Sequence, residues 1–204
     1  MFIVKIVSAR SFALCLLASA VLTSISQAQA PSEVPVFEIM PLSSTIQFDV
    51  EASVAIKGTF DKWDATLTFT STDVTTAVLD IKIQADSVDT GSGMKNGKLK
   101  GKDFFDTKQN PLIRFKSTKI VQTGPDDFEA DGDFTIRGVT KPEKLTVTVS
   151  GRTGSGAIKG TMAFDRKQYG MNSGIPFIRI ADRVEVTVDL KAKRVSGPPV
   201  DLKQ

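Results

Sequence analysis

Apolar and polar residues alternate with period two along most of the chain beyond residue 44, the pattern of strands with one buried face. Ile46-Gln47-Phe48-Asp49-Val50-Glu51 alternates strictly, and so do residues 66–70 and 79–84. The stretches 113–116, 134–137, 145–149, 162–164 and 184–190 continue the pattern. The intervening positions are mainly Thr, Lys, Asp and Glu, which suit a solvated outer face. The separators at 71–76, 124–126, 138–141 and 151–156 are short and of turn composition. Short links make neighbours antiparallel, because parallel strands need crossovers of about a dozen residues. The pattern therefore predicts an all-β fold, either a sandwich or a closed antiparallel up-and-down β-barrel of about eight strands. Closure removes both sheet edges and favours the barrel.

One stretch, residues 90–110, breaks the alternation and carries Lys95, Lys98, Lys100 and Lys102 before the apolar pair Phe104-Phe105. It is expected to be a long, partly helical connection that caps or lids one end of the barrel. On a helix, Lys95, Lys98 and Lys102 share a face, where they could hold an anionic head group or simply be solvated. Gly91-Ser92-Gly93 and Gly97-Lys98 do not make a phosphate loop. Ser92 stands where the first glycine should be, and Leu99 where Ser or Thr should be. Residues 170–175 and Pro176 are expected to form the turn before the last strand.

Composition changes the picture at the N-terminus. Met1–Arg10 holds Lys5 and Arg10 and no acid, an apolar run spans 12–22, and small residues follow at Ser26, Ala28 and Ala30. This is the layout of a cleavable signal peptide, 1–28, cut after Ala28 because Pro31 would obstruct a cut after Ala30. The run is too short for a membrane anchor, which needs about 20 apolar residues. Cys15, the one cysteine, leaves with it; Leu14 stands where a lipoprotein cysteine needs a small neighbour. The leader also takes two of the 26 basic residues, leaving 24 against 23 acids, a net of +1 that gives no support to nucleic-acid binding. The organisation expected is a lead-in at 29–35, one barrel domain at 36–195 and a polar, Pro-rich tail at 196–204 that does not pack. No membrane span remains after leader removal, and a homodimer is left open.

With no histidine in the chain, His-based catalysis and His-ligated zinc are excluded, and one cysteine excludes an internal disulfide. No cofactor and no metal site are expected. The acid pairs Asp126-Asp127, Asp131-Asp133 and Asp103-Asp106 could in principle serve a carboxylate hydrolase, but Asp131 and Asp133 share the strand phase expected to face outward. Eleven of the thirteen phenylalanines survive leader removal. Phe48, Phe60, Phe69, Phe115, Phe134 and Phe164 lie on the apolar phase, together with Leu79, Ile81, Ile83, Ile113, Ile136, Val147 and Met162; Phe104 and Phe105 would close one end. Such an interior is either a filled core or a cavity for an apolar chain.

Several segments resemble the YceI-like family. Asp86–Gly91 (DSVDTG) is similar to its Ser-apolar-Asp-Thr turn. Phe104-Phe105-Asp106 and residues 111–118 (PLIRFKST) resemble its dFFd…P-x-I-x-F-x-S-T signature. Residues 132–142 (GDFTIRGVTKP) match its G-D-L-T-I-R-G-V-T-K-P segment, and 166–171 (RKQYGM) its R-x-D-F-G-M turn. These occur in the family's order over roughly residues 36–194. The resemblance implies a lipocalin-like barrel exported to the periplasm, non-enzymatic, holding a polyisoprenoid or similar apolar lipid such as a quinone or prenyl diphosphate. It adds Arg166 to the head-group candidates. The chain departs from the pattern at Lys95-Asn96, where the family usually has Arg-Asp, and at Gln168, which replaces an acid. The alternative is a filled barrel serving as a structural or interaction module of the envelope.

Overall fold

The computed structural model describes residues 32–202, except 54–55, 152–153 and 175–178. The leader at 1–28, its cut after Ala28 and the turn expected at Pro176 lie outside the described residues. Strands β1 (Val36–Ile39) and β2 (Thr45–Ala52) flank a 3₁₀ turn, and β3 (Ile56–Phe60), β4 (Trp63–Thr68) and β5 (Val78–Gln84) follow. A further 3₁₀ turn (Ala85–Ser87), the two-residue β6 (Val88–Asp89) and helix α1 (Gly93–Lys100) lead to the second half of the chain. There β7 (Leu112–Gln122), β8 (Asp127–Ile136), β9 (Val139–Ser150), β10 (Ser155–Asp165) and β11 (Ile180–Ser196) run up and down.

All eleven strands belong to one antiparallel sheet with the path β4-β5-β7-β8-β9-β10-β11-β2-β3-β6, and β1 is added beside β11. The sheet curls until its ends meet. β3 continues through Asp61-Lys62 into β4, and β5 continues through the 3₁₀ turn into β6. Phe60 pairs with Val88 and Trp63 with Ile83, so these four strands form one kinked ribbon. Asp61 N–H to Ser87 O (3.2 Å) and Gln84 N–H to Lys62 O (2.9 Å) hold the kink. The antiparallel barrel expected from the alternation is thus present. It has eleven strands rather than about eight, because the kink divides two long strands into four and β1 adds an edge.

Alternation fixes which side faces in. Along β8, Phe128, Ala130, Gly132, Phe134 and Ile136 are buried while the residues between them are exposed or half-exposed, which turns Asp131 and Asp133 outward. β3 lacks this rhythm because Gly58 must be bare. A Cβ there would lie 2.7 Å from the Phe48 ring and 2.8 Å from the Asp89 carbonyl. The β8–β9 hairpin is tighter than the separator 138–141 suggested. Arg137 (φ 53°) and Gly138 (φ 72°) alone make the turn, and the strand resumes at Val139. Ser117 is buried at a β7 bulge, where its hydroxyl accepts the N–H of Leu79 (2.9 Å) in place of a ladder bond.

The tail differs from expectation. Asp201 bridges Asp73, its N–H donates to Thr72 O (2.8 Å), and its carboxylate accepts from Thr72 Oγ1 (2.5 Å). Leu202 packs against the core. Composition had marked this segment as too polar to pack, but two residues suffice to pin it to the β4–β5 loop. Among the described residues no helix is long and apolar enough to cross a membrane.

Candidate ligand-binding site

The barrel interior has two chemically different ends. One, the helix end, is covered by α1 and the turn behind it, where Phe105 N–H bonds Leu99 O (2.9 Å) and Asp106 N–H bonds Gly101 O (2.9 Å). That turn delivers Phe104 and Phe105 inward. Phe105 lies 6.0 Å from Phe60 and meets Phe48 edge-on at 6.3 Å. Around them is an apolar void of about 60 Å³, which Ile83, Ile113, Phe134, Ile136 and Phe164 also line. Phe134 and Phe164 pack tilted at 5.0 Å, and buried Tyr169 meets both edge-on at 5.5 and 5.2 Å.

The middle is filled. Ile81, Phe115 and Met162, with Ile46, Leu145 and Val188, leave only about 20 Å³. The other end, the tail end, is open. A chamber of about 740 Å³ lies between Phe37, Leu67, Phe69, Val74, Phe128, Val149, Gly151, Gly154, Arg194 and residues 199–202. A void of about 70 Å³ adjoins it, reaching Leu79 and Val147.

Fourteen of the fifteen lumen candidates are therefore buried, spread over both ends and the middle. Phe69 is half-buried just past β4, on the chamber wall rather than on a strand. Sequence reasoning missed Phe128 and the tail-end wall. Phe128 was readable, since it extends the Phe134 alternation back through Ala130.

The head-group candidates do not converge on an open mouth. Arg166 is 6% exposed and donates to the carbonyls of Ala181 (3.0 Å), Met171 and Ser173 (3.1 Å) and to Asp182 (3.1 Å). It organises the connection into β11. Lys167, chiefly, and Arg166 hold the Asp182 carboxyl below its ordinary range. Lys98 pairs with Asp103 at 2.7 Å, lowering that carboxyl, and lies over the Phe104 ring at 5.8 Å. Lys95 is half-buried and Lys102 exposed. The Lys102 carbonyl accepts from Arg137 (2.8 Å), which also donates to Gly170 O and so ties the β8–β9 hairpin to the cap.

A family model described as the YceI-like domain matches residues 37–192. The chain belongs to the YceI-like family. Among curated relatives, a UPF0312 protein of Pseudomonas savastanoi pv. phaseolicola is 31% identical over 96 residues, 47% of this chain and 50% of the relative. Protein YceI of Escherichia coli O17:K52:H18 is 35% identical over 95 residues, 47% and 49% respectively. The chain spans about half the length of the curated relatives it matches. Burkholderia cenocepacia BcnA is similar in structure, with a TM-score of 0.69 at 24% identity over 76% of this chain and 99% of that one. A polyisoprenoid binding domain from Saccharophagus degradans, implicated in plant cell wall breakdown, gives 0.58 at 17% over 78% and 99%. At these identities the likeness establishes the fold.

Both departures from the YceI-like pattern have a place in the structure. Gln168 is exposed and touches neither cavity. Asn96 fastens the start of α1: Oδ1 accepts from Thr90 N–H (2.8 Å) and Oγ1 (2.7 Å), while Nδ2 donates to Asp89 Oδ1 (3.0 Å). An amide can accept and donate at once, which a carboxylate cannot.

Proposed function

We propose that this protein is an exported, non-catalytic binding protein. It holds one apolar lipid chain of the isoprenoid class, a quinone or prenyl diphosphate, inside its barrel for carriage or sequestration. The observation that carries the reading is the 740 Å³ chamber with a predominantly apolar wall, adjoined by an apolar void that reaches Leu79 and Val147. That size lies within the range of small-molecule sites, about 300–1,000 Å³. The polyisoprenoid binding domain from Saccharophagus degradans shares the fold, which supports the ligand class. The basic, apolar and small-residue order of residues 1–28 supports export to the periplasm.

Burial alone supplies the affinity. At about 0.8 kcal/mol per methylene, roughly ten buried groups reach the 8.2 kcal/mol of micromolar binding. Neither proton transfer nor a metal is needed.

The test is organic extraction of the protein purified from its native host, followed by mass spectrometry. An apolar lipid at near-stoichiometric yield is expected. Added polyprenol should also change the fluorescence of Trp63, the one tryptophan, which packs half-buried against the core. No extracted lipid together with no response of Trp63 would refute the reading. A second reading, a filled barrel acting as an envelope interaction module, is favoured by the closely filled middle and predicts that silent Trp63.

A further inference from the structure

The two ends of the interior treat charge differently. At the helix end, Arg166 is engaged by three carbonyls and Asp182, and Lys98 by Asp103. At the tail end the chamber wall contains, among the described residues, one basic side chain, Arg194. It is half-buried, and NH1 donates to the carbonyl of Gly197. No carboxylate of the described residues lies within ion-pair distance of it. Asp201, on the same wall, is engaged by Thr72 instead. A guanidinium set into a largely apolar wall with donors unmatched by an acid favours a ligand that brings the acid.

One side of this wall lies outside the family match. The match ends at residue 192, whereas Arg194 and residues 199–202 lie beyond it. The segment leaves β11, and Gly197 passes so close to Val34 that a Cβ would lie 2.0 Å from its carbonyl oxygen. It ends pinned at Thr72 and Asp73. The chain's own extension thus builds one side of this chamber.

We propose that the tail-end chamber is an amphiphile site. The apolar chain lies against Leu67, Phe69, Phe128 and Val149, and the anionic head group, a carboxylate or a phosphate, is held by Arg194. This rests on the proposed lipid-binding function and moves the head group away from the lysines of α1.

The test compares three probes with one chain and different heads: dodecanoate, dodecyl phosphate and 1-dodecanol. Each is measured on the full mature protein by displacement of a dansylated fatty acid. The parent is expected to bind the two anions about tenfold more tightly than the alcohol, the size of one charge-assisted contact. R194Q should bring all three to the affinity of the alcohol, and R194K should keep the preference. K98Q and K102Q should leave it unchanged. The order of dodecanoate and dodecyl phosphate tells which head the site takes. Equal weakening of all three probes in R194Q would reduce Arg194 to a structural role and overturn the assignment. So would a preference that survives R194Q or disappears in K98Q or K102Q. If no probe binds the parent, the lipid-binding reading itself fails.

Discussion

Tyr169 places a phenol where no water reaches. It is 0% exposed, its ring is clamped edge-on by Phe134 and Phe164, and its hydroxyl donates to Glu143 Oε1 at 2.8 Å. Burial first, and the Glu143 contact second, push its pKa well above the ordinary 10.0. The folded value therefore exceeds the unfolded one. The contribution of Tyr169 to stability is full below the unfolded value and is lost as the pH rises above it. As this is the one tyrosine, absorbance at 295 nm reads it directly. Tyrosinate should be absent at pH 10 to 11 (about the ordinary range) while far-ultraviolet circular dichroism remains native, and should appear only as the fold opens. Y169F should lose about 1 kcal/mol at neutral pH by urea denaturation, since Glu143 keeps access to solvent. Early tyrosinate formation in the folded protein would contradict this placement.

At the scale of elements, α1 shows a substitution acting through a cap. The helix has eight residues and two glycines, so its own propensity is low, and the Asn96 clamp on Thr90 and Asp89 fastens its start. The Asn96 amide is the main reason that the Asp89 carboxyl lies below its ordinary range, with Gly91 N–H second. N96D would set a second carboxylate against Asp89. It is expected to raise the Asp89 pKa in a carbon-detected NMR titration and to lower Tm near neutral pH. The loss should shrink as the pH falls towards about 4, where carboxylates protonate. An unchanged Asp89 titration would remove the amide as its cause. Elements also mark what could be read beforehand. β2, β5, β8 and β11 were legible because one buried face imposes alternation. β3 was hidden by Gly58, whose bareness serves Phe48 on the neighbouring strand, and β6 and β1 are too short for a period. Within the site, the rings were legible for the same reason as the strands. Arg166 was visible as a cation, but its nest of carbonyls comes from Met171 and Ser173, which carry no periodic signal, and from Ala181 at the start of β11. The chamber wall was invisible because it joins Thr72 to Asp201 across 129 positions.

The barrel is a tube with a filled waist. The tail-end chamber and its adjoining void, about 740 and 70 Å³, are separated from the 60 Å³ void at the helix end by Ile46, Ile81, Phe115, Leu145 and Met162. Phe115 belongs to this waist and lines the central void but neither end. A chain entering from the tail end gains apolar contact with each added carbon until it meets this waist. Affinity across a series of saturated carboxylates should therefore rise about fourfold per methylene, the equivalent of 0.8 kcal/mol, and then level off. Further carbons stay in water or must displace close-packed side chains, which costs as much as it returns. F115L shortens the waist at a cost of about 1–2 kcal/mol of stability. If the waist sets the limit, F115L should move the plateau to longer chains in calorimetric titrations and leave the affinity of short ones unchanged. A parent whose affinity climbs without a plateau would mean that the waist opens on binding. A plateau that F115L does not move would place the limit in the chamber itself.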